Sequence, residues 1–137
     1  MNTKSDSTLC AVIGHPISHS ASPAMHNKAY EEANLDFSYV GIDVHPDDLG
    51  PALERFKAEG FKGFNVTVPL KEKIIPFLDD VDSLAVSIGA VNTVVNERGR
   101  LVGYNTDGRG FIHALTEDLG FDCRGKRVAI IGAGGAA

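Results

Sequence analysis

Phe64-Asn65-Val66-Thr67-Val68-Pro69 alternates apolar and polar side chains and stops at a proline, the pattern of a strand with one buried face and an abrupt end. What precedes it decides the fold. Residues 9–13 are a short apolar run closed by Gly14 and Pro16, which reads as a buried strand entering a loop. Ser22-Pro23 joins a cap residue to a proline at the first helical position and opens a helix that reaches residue 33. Residues 37–44 set Val40, Ile42 and Val44 at alternate positions, a second strand. Residues 46–59 bring Leu49, Leu53 and Phe56 onto one face before Gly60, a second helix. The order is strand, helix, strand, helix, strand. Crossovers as long as a helix make this an α/β fold with a mainly parallel sheet and helices on both faces.

Beyond Pro69, residues 71–78 continue as a short helix. Residues 90–96 and 101–105 are β-rich and are joined by Glu97-Arg98-Gly99-Arg100, a hairpin expected to form an antiparallel edge. A helix follows over residues 106–119, with Thr106 or Asp107 at its cap, and residues 127–131 read as one last apolar strand. That strand runs into Gly132-Ala133-Gly134-Gly135-Ala136-Ala137. A strand followed by glycines is the opening of a dinucleotide-binding unit, in which Gly132, Gly134, Gly135 and Ala136 would let the backbone approach a pyrophosphate. The same glycines also suit a flexible tail. Two units are therefore expected: a ligand-binding domain over residues 9–120, and over residues 126–137 the first strand and glycine loop of a nucleotide-binding domain that continues past Ala137.

Composition narrows the partners. The chain has 137 residues, 43% hydrophobic and 23% charged, which suits one compact globular domain. Thirteen Lys and Arg against 18 Asp and Glu leave a net charge of −5, and the basic residues are scattered, so neither nucleic acid nor anionic membrane is an expected partner. Cys10 and Cys123 form no CxxC pair, which argues for a reducing, cytoplasmic setting over a disulfide framework or zinc site. Residues 1–8 are polar and no apolar run is long enough for a bilayer, so neither secretion nor membrane insertion is expected. His15, His19 and His26 fall in no metal-binding spacing, and no metal is expected.

Four segments carry possible chemistry. Ser18-His19-Ser20-Ala21-Ser22-Pro23 gathers hydroxyls at a helix N-terminus, where backbone N–H groups and the positive end of the helix dipole favour an anion such as a carboxylate. Simple capping by Ser22 reads equally well. Alternation turns Asn65 and Thr67 to one face, and Thr67 and Lys71 stand at the carboxyl end of a strand, where α/β sheets gather ligands. Alone, Lys71 in Lys71-Glu72-Lys73 also reads as a surface charge. Ala90-Val91-Asn92-Thr93 and Gly103-Tyr104-Asn105-Thr106-Asp107-Gly108 set polar side chains against β-rich segments, although the second is also an ordinary turn and cap sequence.

Taken together, residues 12–137 resemble the shikimate dehydrogenase family. The resemblance rests on Ser20-Ala21-Ser22-Pro23, on Asn65-Val66-Thr67-Val68-Pro69-Leu70-Lys71, on Gly89-Ala90-Val91-Asn92-Thr93 and on Asn105-Thr106-Asp107-Gly108. It implies the substrate-binding domain of a two-domain dehydrogenase that reduces 3-dehydroshikimate to shikimate with NADP, reversibly, in aromatic amino-acid biosynthesis. It further implies that Ser20 and Ser22 bind the substrate carboxylate with Asn65 and Thr67 in the same pocket, and that Asn92 and Asp107 hold ring hydroxyls. Lys71, paired with Asp107, is implied as the acid–base group. A quinate/shikimate dehydrogenase, a non-catalytic shikimate-binding module and association between copies of the chain stay open beside this reading.

Overall fold

The computed structural model describes residues 7–135. Among them, β1 (Thr8–Gly14), β2 (Phe37–Asp43), β3 (Gly63–Val66), β4 (Asp80–Val81), β5 (Thr93–Glu97) and β6 (Arg100–Tyr104) form one sheet. The strands lie in the order β2-β1-β3-β5-β6-β4. Helices α1 (Ser22–Glu32) and α2 (Leu49–Ala58) return the chain between β1, β2 and β3, so both β2 and β3 pair parallel to β1. β5 is antiparallel to β3 and to β6, and β4 is parallel to β6.

The two-residue period of the strands divides the sheet into two faces. Ala11 and Ile13, Phe64 and Val66, Val94 and Leu101 belong to one buried cluster with Leu49, Leu53 and Phe56 of α2. Each large apolar side chain removed from water in this way contributes about 1.5–3 kcal/mol before entropic costs. On the opposite face α1 lies over β2. A Cβ on Gly41 would stand 3.6 Å from Pro23 and 4.0 Å from Val12, the ring of His26 stacks 4.1 Å from that of Tyr39, and the Asn27 amide bonds both the N–H and the C=O of Tyr39 at 2.8 Å. Helices thus cover both faces, as the sequence pattern predicts.

Several elements differ from the sequence expectations, each for a local reason. The hairpin of β5 and β6 is interior, because the two-residue strand β4 adds to the outer side of β6 and becomes the edge. β3 ends at Val66 and not at Val68: the Leu70 N–H bonds the carbonyl of Thr67 at 2.8 Å and turns the chain, leaving Val68 exposed. Residues 71–78 make turns and a single 3-10 turn, Ile75–Phe77, in place of a regular helix. α3 (Ser83–Ile88), absent from the sequence reading, is capped by the Asp82 side chain on the Leu84 N–H. α4 (Asp107–His113) runs into a π turn, Ala114–Asp118, and its start is tied by Asn105 Oδ1 accepting from the Asp107 N–H, not by a Thr106 side chain. Ser22 is likewise not the cap of α1; the Ser20 hydroxyl accepts from its N–H at 3.3 Å. Residues 127–131 adopt no strand, and Val128, Ile130 and Ile131 are 70%, 73% and 101% exposed. An apolar run becomes a strand only where a neighbour supplies the ladder, and here none does among the described residues.

Candidate active site

The register places the ends of four strands together. Ile13 of β1 stands beside Val66 of β3, Asn65 beside Thr93, and Thr93 beside Tyr104 of β6. The carboxyl ends of β1, β3 and β6 and the start of β5 therefore share one edge of the sheet, the edge where open α/β sheets bind ligands.

Backbone bonds lace the loops at this edge. The His15 N–H donates to the Val68 carbonyl at 3.0 Å, joining the serine loop to the loop that carries Lys71. Gly14 makes this approach possible, since a Cβ there would sit 2.5 Å from Thr67 Cγ2 and 3.0 Å from the Val68 carbonyl oxygen. The Val91 N–H donates to the Lys71 carbonyl at 2.8 Å, and the Asn92 N–H to the Tyr104 carbonyl at 3.0 Å. Lys71, Asn92 and Asp107 are thus brought together from three separate segments.

Their side chains form one network. Lys71 Nζ donates to Asp107 Oδ2 at 2.6 Å, with the lysine side chain 14% exposed. Asn92, 9% exposed, donates from Nδ2 to Asp107 Oδ1 at 2.8 Å and to Thr106 Oγ1 at 2.9 Å. Asn92 Oδ1 accepts from the Thr106 N–H at 2.9 Å and from Thr93 Oγ1 at 3.0 Å. The carboxylate of Asp107 is held on both oxygens, and the pairing restrains Lys71, so its ammonium is not a freely rotating surface charge.

Asn65 is more constrained than its motif suggests. Its Oδ1 accepts from the Tyr39 hydroxyl at 2.6 Å, while its Nδ2 donates to the Asn92 carbonyl at 3.3 Å and to Thr93 Oγ1 at 3.2 Å. Ser22 Oγ and Thr67 Oγ1, by contrast, make no hydrogen bond among the described residues and stay available. Burial, followed by the neighbouring Tyr30 and Cys10, pushes the Tyr39 phenol well above its usual range, so it remains a donor to Asn65. The alternation of Val40, Ile42 and Val44 marked the strand without singling out Tyr39, which lies on its other face and is buried, while Val40 is exposed and Val44 is buried in the core.

The serine loop is fastened by a second residue that sequence reasoning missed. Asp43 Oδ1 meets His15 Nδ1 at 2.7 Å, and Oδ2 accepts from the Ile17 N–H at 3.0 Å. The His15 contact first, then the Ile17 N–H, hold this carboxyl below the usual carboxylate range. Of the histidines singled out in the sequence, His15 is engaged with Asp43 and His26 with Tyr39.

The glycine loop reaches the same end of the molecule. A Cβ on Gly135 would stand 3.2 Å from Lys71 Cβ, and Gly134 and Gly135 line a cleft of about 360 Å³ with Val68, Pro69, Lys71, Glu72 and Lys73. At Gly132, with φ +110°, nothing lies within 4 Å of where a Cβ would point. Ala136 lies outside the described residues.

The family model for the shikimate dehydrogenase substrate binding domain matches residues 12–94. A shikimate dehydrogenase (NADP(+)) of Moorella thermoacetica is 55% identical over 137 residues, covering 100% of this chain and 46% of its own length. A crystal structure of a shikimate dehydrogenase in complex with NADP+ superposes with a TM-score of 0.90 at 46% identity, covering 95% of this chain and 45% of that one. A shikimate 5-dehydrogenase from Thermus thermophilus, solved in complex with shikimate, gives 0.88 at 43% identity, with 94% and 49% covered. The chain spans about half the length of the relatives it matches.

Proposed function

This chain belongs to the family of shikimate dehydrogenase substrate-binding domains, and from that premise we propose that it is the substrate-binding part of an NADP-dependent shikimate dehydrogenase. The reaction is the reversible interconversion of 3-dehydroshikimate and shikimate. The observation that carries the reading is the Lys71–Asp107–Asn92 network, in which a 2.6 Å ion pair is fixed from its far side by a nearly buried amide.

Reduction of a ring ketone puts negative charge on its oxygen in the transition state. The Lys71 ammonium, aimed by Asp107, stabilises that charge and delivers the proton; in the oxidation of shikimate it receives one. Asn92 fixes the carboxylate so that the pair cannot rotate away. The free hydroxyls of Ser22 and Thr67, with Ser20 at the start of α1, receive the substrate carboxylate, aided by the helix N-terminus. Asn65 serves chiefly to hold the Asn92-Thr93 segment in register, since its amide is already engaged on both ends. NADPH, when bound, supplies the hydride. Gly132, Gly134 and Gly135 would approach its pyrophosphate, and the cleft that Gly134 and Gly135 line with Lys71 supports that reading.

The test is to express the full-length protein that carries this chain and assay it with shikimate or quinate and NADP+ or NAD+. Turnover is expected with shikimate and NADP+. Turnover of quinate alone, or none with either acid, would sink the proposal.

A further inference from the structure

Resting on the reading of Ser20 and Ser22 as the carboxylate-binding pair, we propose that Asp43 is a positioning residue for substrate binding, holding the serine loop in its gripping conformation through His15 and Ile17. Asp43 ends β2 directly beside Gly14, where the loop leaves β1. None of the loop residues 15–22 is fully buried and Ile17 alone packs an apolar side chain onto the sheet, so polar ties do much to set its shape. Those ties form one chain. Asp43 Oδ2 accepts from the Ile17 N–H at 3.0 Å, the Ile17 carbonyl accepts from the Ser20 N–H at 3.0 Å, and Ser20 Oγ accepts from the Ser22 N–H at 3.3 Å. The other carboxylate oxygen holds the His15 ring at 2.7 Å.

A carboxylate is an unexpected neighbour for a loop that is to receive an anion. Its negative charge works against an anionic ligand, so its presence calls for a geometric benefit. The groups that face the pair are few: the His45 ring lies edge-on at 5.0 Å from that of His15, and His45 Nδ1 is itself 3.4 Å from Asp47. The low protonation range of Asp43 is consistent with the two bonds it accepts.

The test is steady-state kinetics of the full-length protein with shikimate as the varied substrate. Asp43→Ala should raise KM about tenfold or more, the effect of losing two charge-assisted hydrogen bonds, with kcat held within about twofold and the melting midpoint retained. Asp43→Asn gives a sharper readout. Its amide oxygen still accepts from the Ile17 N–H and its amide nitrogen still reaches the His15 ring, so KM should return to within about threefold of the unaltered value. Should Asp43→Ala fail to fold, His15→Ala alters only an exposed side chain and should raise KM about threefold. An unchanged KM in the alanine variants, a loss confined to kcat, or an Asp43→Asn KM as high as that of Asp43→Ala overturns this inference alone. Absence of shikimate turnover in the unaltered protein overturns the functional reading and this inference with it.

Discussion

Lys71 stands in Lys71-Glu72-Lys73, and only one of these two lysines is restrained. Lys73 is exposed, whereas Lys71 is bound to Asp107 and largely covered. The contrast makes a paired experiment. In the full-length protein Lys71→Ala should lower kcat by about a hundredfold to ten-thousandfold with little change in KM, because proton transfer is lost while the groups that bind the acid remain. Lys73→Ala should leave both constants within about twofold. A rise in KM alone for Lys71→Ala would make it a binding lysine. At this scale the sequence was informative wherever a residue belonged to a compact motif, as Lys71, Asn92 and Asp107 do. It was silent on Tyr39 and Asp43, which belong to no motif and whose partners are 26 and 28 residues away in sequence.

At the scale of elements, α1 buries none of its residues fully and is held to the sheet by aromatic and polar contacts. Its Tyr30 clusters with Tyr39 and Cys10 of the strands beneath, and burial raises all three, Tyr30 to about 12. A group whose folded value is raised keeps its proton longer when folded than when unfolded. Its contribution is complete below the unfolded value and is lost as pH climbs through the folded one. The melting midpoint should therefore hold up to about pH 9 and fall between about pH 10 and 12, together with the helical signal of α1. Tyr39→Phe should flatten that fall. A midpoint that is level through pH 12 would show that the cluster does not hold α1 to the sheet. Elements were legible in proportion to their periodicity. β1, α1, β2, α2 and the hairpin of β5 and β6 announced themselves through alternation, a four-residue stripe or turn residues. β4 and α3 are two and six residues long, too short for a pattern to repeat. The run at residues 127–131 has the composition of a strand but, among the described residues, not the partner that a strand requires.

At the scale of the whole molecule, the site is not the property of any one element. It exists because the register of β1, β3, β5 and β6 brings four loops to one edge of the sheet, and because backbone bonds from His15 to Val68 and from Val91 to Lys71 tie those loops to one another. A ligand that spans the serine loop and the Lys71–Asp107 pair binds only the folded arrangement. It should stabilise the fold by mass action, about 2.7 kcal/mol at a concentration one hundred times its dissociation constant. The chemistry of the two ends makes the effect selective. On the proposed reading, shikimate's carboxylate would meet Ser20 and Ser22 and its ring hydroxyls the site that Asn92 and Asp107 form, whereas its methyl ester keeps the hydroxyls and loses the charge. Thermal unfolding of the full-length protein should therefore show a midpoint that rises with shikimate concentration and barely moves with the ester. Asp107→Asn should reduce the shikimate shift by removing the anionic acceptor for a hydroxyl and for Lys71. Equal shifts from acid and ester would mean that the serine loop does not grip the carboxylate, and an undiminished shift in Asp107→Asn would detach the Lys71–Asp107 pair from substrate binding.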